Sequence, residues 1–82
     1  MIALLDLGNT RAKFALFDGH GLVQRGVVAW DDSIAFALAS AWAHWPRPER
    51  VVAASVVDGA REAMVDEAVV AAFDRPLQWL RT

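Results

Sequence analysis

The chain has 82 residues, 56% of them hydrophobic, and a formal net charge of −2, which makes it one small domain or part of a larger one. It has no cysteine, which excludes disulfides, Cys-ligated zinc and iron–sulfur clusters. Its basic residues are scattered, leaving no electrostatic footprint for nucleic acid, and no apolar stretch is long and charge-free enough to span a membrane.

Ile2 to Leu7 reads as a strand buried on both faces. Asp6 falls near its end, where a bare carboxylate is costly unless it is solvated, hydrogen-bonded or serving a cation. Gly8 and Asn9 suit a turn that needs positive φ. That turn exposes backbone N–H groups, Thr10 adds a hydroxyl, and Lys13, the chain's one lysine, adds a positive charge. A carboxylate for Mg²⁺, small polar turn groups and one cation are what a nucleotide's phosphates require. The same residues also read as a plain hairpin turn with a wet strand end. Neither a Walker A motif nor a G-x-G-x-x-G fingerprint occurs.

Residues 11–17 read as a second strand, in which Lys13 and Phe14 should face opposite sides. Asp18-Gly-His-Gly21 is a turn that leads into a third strand over 22–29, completing an antiparallel meander. Gly26 marks a bulge or a close contact in that strand. Asp31-Asp-Ser33 offers caps to a helix over about 32–44, with Ile34, Leu38, Trp42 and Trp45 at helical spacing. Pro46 and Pro48 end it.

Val51 to Val57 is a second continuous apolar strand, and Ser55 near its carboxyl end is a candidate cleft residue. Asp58-Gly59 opens the next helix, where Glu62 suits a capping box. Ala60, Met64, Ala68 and Ala72 form one stripe, flanked by Val65, Val69 and Phe73. The helix should stop near Asp74, before Pro76, and Leu77 to Leu80 reads as a last short strand. The order is β-β-β-α-β-α-β, an α/β chain with a mixed sheet. His20 reads as a solvated turn residue, and His44 as a helix-end residue suited to the dipole. The four tryptophans read as core or lobe-contact residues. So much apolar material in a short chain implies a lobe that packs against something else.

Asp6-Leu-Gly8-Asn9-Thr10-Arg-Ala-Lys13 resembles the D-x-G-N-T-x-x-K phosphate motif of type III pantothenate kinases, a family that includes the Bvg accessory factors. Phe14-Ala-Leu-Phe-Asp18-Gly19 resembles the family's second strand and turn, and Val51 to Val57 its fourth strand with a Ser-Val ending. The resemblance implies half of an actin-like ATPase (ribonuclease H-like) fold, with five strands in the order 3-2-1-4-5. It implies that Asp6 positions Mg²⁺ through water. Gly8, Asn9 and Thr10 would contact the ATP phosphates, and Lys13 would neutralise the transferring phosphoryl group.

The parent implied by the resemblance phosphorylates pantothenate with ATP, the first step of coenzyme A synthesis. It uses Mg²⁺ and a monovalent cation (K⁺ or NH₄⁺) and is a homodimer. The family's catalytic aspartate lies in a G-x-D-R motif further along. Asp74-Arg75 lacks the glycine and is not assigned that role. Residues 1–82 are thus expected to be a single domain, the N-terminal phosphate-binding lobe of a larger two-lobed cytoplasmic kinase, inactive alone. The alternatives are a Bvg accessory factor-type regulatory partner, acting without direct DNA contact, and a sugar or acetate kinase lobe of the same superfamily.

Overall fold

The computed structural model describes residues 1–80. Seven elements follow the expected order: β1 (Ile2–Leu7), β2 (Arg11–Phe17), β3 (Leu22–Ala29), α1 (Ile34–Trp42), β4 (Arg50–Ser55), α2 (Gly59–Phe73) and β5 (Leu77–Trp79). The five strands form one sheet in the order β3-β2-β1-β4-β5. The β1–β2 and β2–β3 pairs are antiparallel, as two-turn connections require, and β1–β4 and β4–β5 are parallel across helical crossovers.

Both helices cover the same face of the sheet. Ala3, Leu5 and Leu7 of β1 point into that core with Ala12, Phe14, Leu16, Val51 and Ala53. From the helices come Ile34, Leu38, Trp42, Val65, Val69 and Phe73. The opposite face is uncovered, which corrects the expectation that β1 is buried on both sides. Ile2 and Leu4 are 36% and 41% exposed, while their neighbours Ala3 and Leu5 are buried. An apolar run looks alike whether one layer or two will cover it, so the sequence could not separate these cases. The α2 stripe is likewise displaced by one position. Val65, Val69 and Phe73 are buried, Met64 and Ala68 lie at the core's margin, and Ala60 and Ala72 are exposed.

The helix ends follow local chemistry. Asp58 caps α2 by accepting from the Arg61 N–H, and Asp74 closes it in the left-handed region (φ 54°). Arg47 donates from Nε to the Phe73 carbonyl at 2.8 Å, satisfying one of the helix's orphan acceptors. At the start of α1, Ser33 does not cap through its side chain. Its hydroxyl instead donates to Asp31 Oδ1 at 2.8 Å and its N–H to the same oxygen at 2.9 Å. These two bonds, the hydroxyl first, hold the exposed Asp31 carboxyl below its ordinary pKa.

Gly26 is a close contact, not the bulge. The register slips instead between Leu16 and Phe17, which face Gln24 and Leu22. A Cβ on Gly26 would sit 2.5 Å from Phe14 Cε2 and 2.9 Å from Cζ. The Phe14 ring is itself pinned edge-on against Trp42 and Trp45 and cannot swing aside freely. Gly26→Ala should therefore destabilise the chain by about 1–3 kcal/mol, the usual cost of overpacking. Urea unfolding monitored by far-UV dichroism checks this. An unchanged midpoint would show that the Phe14 ring has room to yield.

Candidate functional site

The β1–β2 connection is three residues long, and its neighbours fix its shape. Gly8 N–H donates to the Arg11 carbonyl at 3.0 Å, closing the turn. Trp30, just beyond β3, bonds to it twice. Its indole Nε1–H donates to the Gly8 carbonyl at 2.6 Å and its backbone N–H to the Thr10 carbonyl at 3.4 Å. The N–H groups and side chains of Asn9 and Thr10 have no hydrogen-bond partner among the described residues, and both residues are exposed.

Neither Gly8 nor Asn9 has positive φ, which corrects the reason expected for them. A Cβ on Gly8 would only touch the Arg11 carbonyl at 3.4 Å, an ordinary contact. The backbone thus does not demand glycine at this position. The one atom such a Cβ meets is that carbonyl oxygen, so glycine leaves the backbone here open to close approach.

Register brings Asp6 and Lys13 together. They are direct partners across β1 and β2, and both lie exposed on the uncovered face. Side chains so placed have Cβ atoms about 4.5–5.5 Å apart. On the other side of Asp6 stands Ala54 of β4, too small to crowd it. Exposure is what removes the desolvation cost of Asp6, and it resolves the question of a carboxylate in an apolar strand.

Two further cations lie on this face, and the sequence reading did not single them out. Arg11 alternates with Lys13 along β2, so β periodicity alone could have placed it. Arg25 faces Ala15 across β2–β3, a register that depends on the slip at Phe17 and is hard to foresee. Asp6, Arg11, Lys13 and Arg25, with Leu4 and Val27, line an open concavity of about 630 Å³. None of the four charged side chains has an ion-pair partner among the described residues. A chain of net charge −2 thus gathers three cations around one carboxylate on its bare face. That balance fits a polyanion whose metal ion the carboxylate helps to hold.

Ser55 stands apart from this set. It pairs with Leu7 and shares the helix-side face with Val51 and Ala53, while Asp6 and Lys13 point the other way. Its Oγ accepts from the Val57 N–H at 3.2 Å, shaping the turn into α2. His20 and His44 are exposed and distant in sequence from the turn. No cluster of three or more His, Asp or Glu residues able to hold a metal occurs among the described residues. A magnesium ion does not need one, because it is commonly held by one or two carboxylates together with substrate phosphates. Asp6, on the wall of the open concavity, could supply the one carboxylate. No helix among the described residues is long and apolar enough to cross a membrane.

No family model matches the chain. Curated relatives do. A type III pantothenate kinase from Alkalilimnicola ehrlichii is 47% identical over 53 residues, 65% of this chain and 21% of that protein. A type III pantothenate kinase from Acidovorax ebreus is 34% identical over 80 residues, 93% of this chain and 30% of that protein. The chain thus spans between a fifth and a third of the length of these relatives. Among solved structures, the ROK hexokinase from Thermus thermophilus superposes with a TM-score of 0.62 at 24% identity, over 96% of this chain and 32% of that one. This likeness establishes the fold, that of an actin-like ATPase, with the strand order β3-β2-β1-β4-β5.

Proposed function

We propose that this chain, which belongs to the type III pantothenate kinase family, is the phosphate-binding lobe of a kinase that transfers the ATP γ-phosphoryl group to pantothenate. The observation that carries the proposal is the pairing of Asp6 with Lys13 beside a turn whose Asn9 and Thr10 N–H groups are free. Phosphoryl transfer depends on positioning and charge stabilisation more than on covalent chemistry, and these are the parts such a task needs.

In this reading the Asn9 and Thr10 N–H groups and the Thr10 hydroxyl bind phosphate oxygens. Gly8 lets the phosphates approach the backbone. Lys13, with Arg11 near it, offsets negative charge on the phosphoryl group. Asp6 would hold a magnesium ion through water, and that ion would supply charge neutralisation to the phosphates. The monovalent cation is assigned to no residue of this chain. The catalytic base, the second lobe, the pantothenate pocket and a dimeric assembly belong to the rest of a full-length kinase. This chain alone is therefore expected to bind nucleotide without turning it over.

Titrating ¹⁵N-labelled chain with Mg²⁺–ATP tests the reading. The amides of residues 6–13 should shift together, the Asn9 and Thr10 amides most, while those of α1 stay in place. A flat response over residues 6–13 at millimolar nucleotide would count against a preformed phosphate site. A longer protein that contains this lobe should phosphorylate pantothenate, and failure there with binding intact would point to another acceptor.

A further inference from the structure

The Asn9 N–H is of use only if it points at the ligand, and a single side chain fixes where it points. The Gly8–Asn9 peptide is planar and trans, so its C=O and N–H are directed oppositely. The Trp30 indole N–H holds the Gly8 carbonyl at 2.6 Å. The Asn9 N–H of the same peptide is thereby turned away from Trp30. The backbone N–H of Trp30 engages the Thr10 carbonyl as well, so both acceptors flanking Asn9 are drawn to one residue. A carbonyl oxygen facing the phosphates would repel them, and this arrangement takes both out of the way.

Trp30 is in turn held from α2. The Arg61 guanidinium lies 5.5 Å above the indole centroid, within range of a cation–π contact. Arg61 donates its own N–H to Asp58 Oδ1 at the start of α2. The ring is half-buried against the core's margin, so packing and cation together fix its plane.

We infer that Trp30 is a positioning residue for the phosphate turn: its indole N–H sets the peptide orientation that presents the Asn9 N–H to a phosphate oxygen. The inference rests on the phosphate reading above and adds to it a residue twenty-two positions from Gly8.

Trp30→Phe keeps an aromatic ring beneath Arg61 and deletes the donor together with part of the indole's area. The probe is inorganic triphosphate with Mg²⁺, which reads the turn without an adenine pocket. Binding to the folded variant should weaken about five- to tenfold, the loss of one orienting hydrogen bond. The Asn9 amide resonance should move in the unliganded variant and exchange faster with solvent. Should the variant fold poorly, the unsubstituted chain still answers. The Trp30 indole N–H should exchange slowly with solvent, and its resonance should shift when triphosphate is added. An indole signal that exchanges freely and ignores the ligand overturns the inference, as does undiminished binding with an unmoved Asn9 amide in Trp30→Phe. If the unsubstituted chain binds no triphosphate, the phosphate reading itself falls, and the two failures are thereby told apart.

Discussion

Asp6→Asn should weaken Mg²⁺–ATP binding by about 10–100-fold, the range seen when an outer-sphere partner of a metal is lost, and should leave the folded state as stable as before. The two halves of that expectation have separate causes. Asp6 is exposed and takes no part in an ion pair among the described residues, so the fold does not draw on its charge. Substitutions at such positions usually change stability by no more than about 0.5 kcal/mol. Its value lies in the ion it helps to hold, and asparagine keeps the shape while removing the charge.

Gly8→Ala sharpens the comparison. Gly8 has an ordinary φ, and the added methyl meets only the Arg11 carbonyl at 3.4 Å. The unfolded chain loses freedom, so stability should hold or rise by about 0.4–1 kcal/mol. The methyl would occupy the space beside the free donors, and nucleotide binding should fall. Calorimetric titration and thermal unfolding of both variants supply the check. Variants that bind normally would show that the turn is only a hairpin. Variants that unfold early would show a structural role.

Trp42→Ala should be the most damaging substitution in the core, costing about 3–5 kcal/mol. Trp42 is 2% exposed, with its ring centroid 5.6 Å from that of Phe14 and 5.2 Å from that of Phe73. It joins β2, α1 and the end of α2, so its removal opens a cavity touching three elements. Marginal stability is the rule for small domains, and a loss of this size would leave much of the chain unfolded. Trp42→Phe should behave quite differently. The buried Nε1–H of Trp42 has no hydrogen-bond partner, a desolvation cost of about 1–3 kcal/mol that phenylalanine would remove. That gain offsets much of the lost ring area, and the midpoint in urea should move little. A Trp42→Phe variant as unstable as Trp42→Ala would show that the indole N–H is satisfied in solution.

The elements of this fold were legible where local chemistry decides them. The Asp18-to-Gly21 turn, the Asp58 cap and the stop at Asp74 ahead of Pro76 are written in single residues. Alternation placed Lys13 and Phe14 on opposite faces, as observed. The sheet order followed from family likeness and not from periodicity. What stayed hidden depends on layers and on distant register. Ile2 and Leu4 carry no mark of which side the helices will take. On α2 the stripes led by Ala60 and by Val65 are close neighbours around the helix, and only the position of α1 selects between them. The Asp6–Lys13 pair was named from its motif. Arg25 entered the same concavity only through a register slip, and Trp30 through a bond across twenty-two positions. Ser55 was proposed from its strand end alone, and facing direction sets it apart from the others.

The single helical layer also governs how the chain responds to heat and denaturant. Unfolding releases less newly wetted hydrocarbon than it would from a sheet sheltered on both sides, because Ile2, Leu4 and Val27 are already partly in water when folded. The heat-capacity increment and the slope in urea both scale with that newly exposed area. The stability curve of the isolated chain should accordingly be shallow and broad, with a melt over a wide interval that would steepen once another layer shielded the bare face.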